Sequence, residues 1–82
     1  MRALEVSVNG RRVCVAGIRQ GVLAAHVTRN SGEQIEFIDL DIVGLEDGRD
    51  LRWSVPKIGI GGEVTVRVVD ATVADPPKNT GH

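Results

Sequence analysis

Apolar and polar residues alternate along most of the chain, which is the spacing of a β-strand with one buried face. The segment "ALEVSV" places Leu4, Val6 and Val8 on one side. Asn9 and Gly10 follow it as a two-residue turn that favours a hairpin. The same alternation predicts about six strands in all. The five further segments are 11–18, 22–29, 33–45, 51–55 and 63–73.

Two of the predicted strands change parity part-way along. In the fourth strand Ile35 and Phe37 share one face, whereas Ile38 and Leu40 share the other. The last strand, residues 63–73, changes in the same way. An extra residue at a β-bulge re-aims the side chains of a strand, and a sharp bend has the same effect. We therefore expect a bulge or a bend in each of these two strands.

Short strands separated by turns are typical of a small antiparallel β-sandwich or barrel. Alanine in "GVLAAHVTR" leaves a helix over residues 21–29 as an alternative to the third strand. A chain of 82 residues forms one domain with a thin core, which we place at residues 1–74. The polar segment "DPPKNTGH", residues 75–82, has no apolar residue to dock it and is predicted to be a disordered tail.

Composition narrows the possible function classes. Aromatic residues make up 2% of the chain, Phe37 and Trp53, and the formal net charge is −1. A nucleic-acid-binding domain usually has a basic surplus and aromatic platforms, so a nucleic-acid partner is not expected. The single cysteine, Cys14, excludes an internal disulfide. No apolar run has the length of a signal peptide core or a membrane span, so we expect a soluble cytoplasmic protein.

Three closely spaced glycines, Gly59, Gly61 and Gly62, form the first candidate site. Glycine-rich loops bind phosphate through backbone N–H groups at the start of a helix. Here "IGIGGE" leads instead into "VTVRVV", a predicted strand. We therefore interpret the loop mainly as a tight bend. Its N–H groups stay available, in this interpretation, to an anion or to a strand of a partner.

The acidic run "DLDIVGLEDGRD", residues 39–50, partly matches a calcium-binding loop. Acidic residues and a glycine occupy positions 1, 3, 6, 9 and 12 of such a loop. However, Val43 offers no side-chain oxygen at position 5, and no flanking helices are predicted. We interpret the run as a strand with one acidic face, formed by Asp39 and Asp41, that leads into a turn. No metal site is predicted.

Cys14 and His26 are the remaining candidates for catalytic chemistry. If the second and third strands are adjacent, the two side chains share one face. A Cys–His pair is an established nucleophilic arrangement. The alternative is a half-buried histidine beside an inert cysteine that behaves as a small apolar residue, and we favour this alternative.

Trp53 lies close to Arg49 and Arg52 in the sequence. Tryptophan and arginine are enriched at binding hot spots, so these three residues join the loop glycines as the predicted binding residues. Eight of the ten basic residues are arginine, whose planar head suits bidentate contacts with carboxylate or phosphate. Leu51 and Val55 share the parity of Trp53, which makes a core position for Trp53 the alternative.

Two resemblances add to this picture. The phrases "LEVSVNGRRVCVAGI", "GVLAAHV" and "LRWSVPKIGIGGEVTVRVV" resemble a group of short bacterial all-β proteins of unassigned function. This resemblance covers most of residues 4–73 and implies a fold but no activity. In addition, "IGIGGEVTVRV" is similar to the loop-and-strand pattern xxVGDxVxVxV of many small barrels, with Gly62 where aspartate is common. It implies an oligonucleotide-binding barrel as one alternative, although stacking aromatic residues are absent.

These observations predict a non-catalytic protein-binding or assembly module without a cofactor. A thin core and strands with apolar residues on both faces favour a homo-oligomer and a protein partner. A regulator or inhibitor of that partner is one form that such a module takes. The alternative is a homo-oligomer that binds a small anionic ligand of the nucleotide type through arginines and the loop glycines. An enzyme that uses Cys14 or His26 is the third hypothesis.

Overall fold

Seven β-strands make up the regular structure of the described residues. The structure, a computed structural model, describes residues 1–33 and 36–81. Six strands correspond to the six predicted segments, and no helix occurs among the described residues. The all-β class is therefore confirmed, and the third segment is a strand. The strands are β1 (Arg2–Val8), β2 (Arg11–Gly17), β3 (Val22–Ser31), β4 (Glu36–Glu46), β5 (Arg49–Trp53), β6 (Val64–Asp70) and β7 (Asn79–Gly81).

The strands form two antiparallel sheets that pack face to face as a small sandwich. The first sheet has the strand order β2-β1-β6, and the second has the order β3-β4-β5-β7. The described strands do not close into a barrel. One core lies between the sheets and takes side chains from both. Its buried members are Val6, Val8, Cys14, Ala16, Ile18, Leu40, Ile42, Leu51 and Trp53.

Two tight turns join hairpin strands within the sheets. Asn9 and Gly10 have φ of 53° and 80°, and Asp47 and Gly48 have φ of 52° and 74°. Positive φ at both central residues is the geometry of a type I′ turn, which matches the twist of the flanking strands. Asparagine, aspartate and glycine tolerate this conformation best. Both predicted turns are confirmed.

The bulge or bend predicted in the fourth strand is absent from its paired part. β4 pairs with β3 in one continuous register from Glu36 to Leu45. Ile35 lies outside the described residues, as does the side chain of Phe37. The change of parity therefore does not correspond to an extra residue within the ladder.

A bulge does occur in β2, where none was predicted. Val6 pairs with Cys14, but the next residue, Ser7, pairs with Arg12, so Val13 is the extra residue. A bulge bends its strand and increases the local twist. Here it lies between the buried part of β2 and the tight turn that joins β2 to β1.

β6 likewise pairs with β1 in one continuous register along its whole length, so the bulge predicted there is wrong. Its outward-facing Val69 lies opposite Ala3, which is buried. The chain that follows β6 returns across this outer face, since a β-carbon built on Gly17 would lie 2.9 Å from the Cβ of Ala74. Of the apolar residues of changed parity, Val69 thus lies on the face that the returning chain crosses, whereas Ala71 and Val73 belong to the returning chain.

Residues 71–78, which we call the strap, then join the two sheets. The N–H of Asp75 donates to the carbonyl oxygen of Val15 over 2.8 Å. The N–H of Val15 donates in turn to Oδ2 of Asp75, also over 2.8 Å. The carbonyl oxygen of Asp75 accepts from Nε1 of Trp53 in the second sheet. Asp75 therefore caps the outer edge of β2 and anchors it to β5.

The C-terminal segment differs from the predicted disordered tail of residues 75–82. Beyond Asp75, the N–H of Lys78 donates to the carbonyl oxygen of Arg52 over 2.6 Å. Asn79–Gly81 then pairs with β5 as β7. These contacts are made by backbone groups, which need no apolar side chain in the segment, so the composition of the tail did not reveal them.

Candidate functional site

Trp53 is part of the core. Its side chain is 4% exposed. Gly44 leaves room for the ring, because a β-carbon there would lie 3.2 Å from Cζ3 of Trp53. The indole N–H donates to the carbonyl oxygen of Asp75 over 2.8 Å. Trp53 therefore occupies the core position that the sequence offered as the alternative. It connects the core to the strap and does not face a partner.

Arg49 and Arg52 point to opposite faces of β5, because side chains alternate along a strand. Nη2 of Arg49 lies 3.7 Å from Oε1 of Glu46. Nη1 of Arg52 lies 3.7 Å from Oδ1 of Asp41. Exposed pairs of this kind contribute little to stability, but each places a carboxylate beside the guanidinium. The two arginines of one chain therefore do not converge on a common anion.

The glycine loop forms a tight turn. The N–H of Gly62 donates to the carbonyl oxygen of Gly59 over 3.0 Å, and Gly61 has φ of 86°. Positive φ at the third residue is what a type II turn requires. The N–H of Asn9 donates to the carbonyl oxygen of Glu63, whose own N–H donates to Oδ1 of Asn9. The N–H of Gly62 is used within the turn, which corrects the prediction that all three glycines offer free donors.

The six predicted binding residues do not come together in one place. Arg52 and Trp53 line a depression beside the acidic face of β4. The three loop glycines line a separate groove with Val27 and Ile58, and Arg49 lines neither of these. The prediction used residue types that are common in binding sites. It had no access to their placement on different faces.

Cys14 and His26 lie in different sheets, so the predicted shared face is wrong. Cys14 is buried in the core, and His26 is exposed on the outer face of β3, opposite Asp41. Burial, and to a smaller extent the negative charge of Asp75, raise the pKa of the Cys14 thiol. A protonated, buried thiol is a poor nucleophile.

The acidic run is a strand followed by a turn, as interpreted from the sequence. Asp39 and Asp41 lie on the outer face of β4, and Asp47 is part of the hairpin turn. Within residues 1–33 and 36–81, no group of three or more His, Cys, Asp or Glu side chains is arranged to hold a metal ion.

The sandwich is open along one side, where Val64 of β6 still packs against the core but the second sheet leaves Val66 and Val68 uncovered. Val66 lies opposite Val6 in the β1–β6 ladder, so both face the space between the sheets. Val6 is 0% exposed, whereas Val66 is 42% exposed and Val68, two residues further on, is 74% exposed. Val27 on β3 is also exposed, although it lies opposite the buried Leu40.

The glycine loop borders the same open side. Ile60, at the tip of its turn, is 91% exposed. Ile60 and Val27 line one groove together with Val64, the first residue of β6. We call the surface formed by Val27, Ile60, Val66 and Val68 the open side. It is an apolar surface built from the inner faces of two edge strands and the tip of the glycine loop.

The edge of β6 next to this surface presents unpaired backbone groups. Glu63 exchanges hydrogen bonds with Asn9, and Ala71 exchanges two with Met1, so these odd-numbered residues point their N–H and C=O groups towards β1. Backbone groups alternate in direction along an antiparallel strand. The even-numbered residues of β6 therefore point theirs away from β1. No strand of the described chain pairs with them. They are Val64, Val66, Val68 and Asp70.

Comparison with protein-family models, with curated proteins and with solved structures found no match to this chain. Among the described residues, no helix is long and apolar enough to cross a membrane.

The open side was missed by sequence reasoning at the level of residues. The valines of β6 were recognised as an apolar face and as a reason to expect assembly. Their period is the same as that of β1, so nothing in the pattern separates the buried Val6 from the exposed Val68. Only the relative position of the two sheets makes that distinction.

Proposed function

We propose that this chain is a non-catalytic protein-binding or assembly module, and that a partner binds at the open side and the free edge of β6. The observation that carries the proposal is the exposure of Val66 and Val68 on the face that elsewhere forms the core. A strand added to β6 would pair its free backbone groups. Its side chains would at the same time cover these valines.

The physical basis of such binding is the addition of a strand to a sheet edge. Main-chain hydrogen bonds provide affinity, and the alternating side chains provide specificity. Burial of apolar surface contributes roughly 25 cal/mol per Å². An edge without proline, lysine or a covering segment is also a site of unspecific association. β6 contains no proline or lysine, and its two charged residues are Arg67 and the terminal Asp70. A regulator or inhibitor of this type would pair β6 with a strand of its partner, so that the partner could no longer use that strand.

The alternative, a small anionic ligand held by arginines and the loop glycines, stays a prediction with less support. Arg52 is beside Asp41, and the N–H of Gly62 is already bonded. A ligand that binds the folded state raises the melting temperature by mass action. A concentration-dependent rise in Tm with a nucleoside triphosphate would favour this alternative. For the oligonucleotide-binding alternative, the buried Trp53 offers no stacking platform.

Selection of peptides from a display library tests the proposal. The protein is immobilised sparsely, and bound peptides are compared with those retained by Val68→Lys. Val73→Lys is the matched control, because Val73 is exposed and lies beyond β6. We expect extended, alternating apolar peptides that bind the wild type and the control but not Val68→Lys. Selected peptides that bind Val68→Lys as well as the wild type would contradict the proposed surface.

A further inference from the structure

We propose that the strand which pairs with β6 is β6 of a second copy, in an antiparallel ladder with Val66 on the two-fold axis. This inference rests on the proposed function and names its partner. Closed two-fold dimers use the same patch on both subunits. A strand edge can satisfy that condition only if its residues are compatible with the same residues in reverse order.

The direction of the free backbone groups allows such a ladder. For two antiparallel strands related by a two-fold axis perpendicular to the sheet, the inner faces of both copies lie on the same side. With the axis at Val66, this residue faces Val66 of the second copy, and Val64 faces Val68. These are the even-numbered residues, whose N–H and C=O groups point to the free edge. Every facing pair of valines is therefore a hydrogen-bonded pair.

Side-chain chemistry selects this register over its neighbours. An axis at Arg67 would place two arginines directly opposite each other and Asp70 opposite Val64, and like charges in this position are destabilising. An axis at Thr65 would leave Val68 opposite Gly62, without a side chain to cover it. With the axis at Val66, Arg67 faces Thr65 of the second copy, and the inner face consists of valine pairs only.

The resulting dimer would also cover the open side. Joining two β6 strands makes one six-stranded sheet from two three-stranded sheets. The second sheets of both copies then lie on the same side of it, one at each end. Val66 and Val68 of each copy come to lie between them, near Val27 of the edge strands β3. The surface that a single chain leaves exposed becomes the centre of the assembly.

Disulfide trapping tests this register directly. The hydrogen-bonded pair at a two-fold axis has a Cα–Cα distance of about 5.5 Å, which lies within the usual range for a disulfide. We expect Val66→Cys to form a covalent dimer in oxidised glutathione. Val68→Cys is the matched control and should stay monomeric on a denaturing gel, because its counterpart is Val64. The wild type controls for Cys14, which is buried.

Cysteines at other positions of β6 test the competing registers. Efficient cross-linking of Thr65→Cys or Arg67→Cys, with none at Val66→Cys, would overturn the register. Equal cross-linking at all four positions would indicate random collision and would overturn the ladder.

Light scattering without any cross-link provides a second measurement. We expect the wild type to be a dimer at high concentration, whereas Val68→Lys is a monomer and Val73→Lys a dimer. A wild type that is monomeric at millimolar concentration would overturn self-pairing. If peptides sensitive to Val68→Lys are nevertheless selected, the strand-binding function survives with a different partner. If neither dimer nor such peptides are found, both proposals fail.

Discussion

The two edges of the first sheet differ in whether the chain itself covers them. On the closed side, Asp75 of the strap bonds to the edge of β2 at Val15 and accepts the indole N–H of Trp53. On the open side, the edge of β6 that faces away from β1 pairs with no strand of the described chain, and Val68 is 74% exposed. The chain therefore seals one edge with its own segment and leaves the other edge unsealed.

This contrast argues that the open side is a binding surface. Unpaired strand edges promote association, and proteins commonly protect them. The chain has the means of protection, because Asp75 of the strap bonds to both the N–H and the carbonyl oxygen of Val15 at the edge of β2. For the edge of β6, which lacks this protection, we propose a strand from a second copy. The closed side should accordingly govern stability, and the open side should govern association.

Removing the indole of Trp53 should have the largest effect on stability. Trp53→Ala deletes the core residue that also bonds to the strap, and such substitutions cost about 3–5 kcal/mol. Denaturation by urea would measure the loss. Trp53→Phe keeps most of the buried ring and should cost less. If Trp53→Ala stayed within about 1 kcal/mol of the wild type, the closed side would not be the source of stability.

A comparison of two valines on the same face tests the contrast itself. Val6→Ala empties a fully buried site and should cost about 2 kcal/mol, from the lost burial and the cavity. Val68→Ala, at an exposed site on the neighbouring strand, should change stability by less than about 0.5 kcal/mol when the protein is dilute. Both are measured as the free energy of unfolding. Equal losses would show that β6 is covered within the single chain.

Substitution of Gly61 in the glycine loop should destabilise the protein through backbone strain and not through steric contact. Gly61 has φ of 86°, and a β-carbon there would meet nothing within 4 Å. Gly61→Ala should therefore cost about 1–2 kcal/mol through conformation alone. Gly59→Ala is the control, since its site is equally open and its φ is not in the left-handed region. A similar loss in both variants would argue against the type II turn.

The side chain of Asp75 should contribute the smallest of these effects. Asp75→Ala removes the acceptor for the N–H of Val15 but keeps the backbone bonds of the strap, so we expect a loss of about 1 kcal/mol. Asp70→Ala is the control, because Asp70 makes only an exposed ion pair, 3.3 Å from the terminal ammonium. No difference between the two variants would show that the Asp75 carboxylate does not help to seal β2.

Local chemistry made the strands and turns predictable, whereas features set by distant parts of the chain were not. Alternation and the pairs Asn9-Gly10 and Asp47-Gly48 act within a few residues, so the six strands and two hairpins followed from them. The strap is held by hydrogen bonds to distant backbone groups and to the indole of Trp53, and no local pattern in the sequence indicates these partners. The extra residue Val13 is likewise invisible, because residues 13–16 are all apolar and contain no alternation that could reveal a change of parity. The open side depends on which strand the second sheet covers.

The proposed site shows the same limit. Arg49, Arg52 and Trp53 were selected because their types are common at interfaces, yet one is buried and the others point to opposite faces. The valines of β6 have no distinctive type. Their importance comes from exposure on a face that should be buried.

Hydrogen exchange along β6, measured by NMR at low and high protein concentration, tests the central claim most directly. The amides of Thr65 and Arg67 point to β1 and should exchange slowly at both concentrations. Those of Val66 and Val68 point to the free edge, so we predict fast exchange in dilute protein and slow exchange in concentrated protein. Fast exchange of Val66 and Val68 at every concentration would contradict the claim that this edge pairs with a second copy.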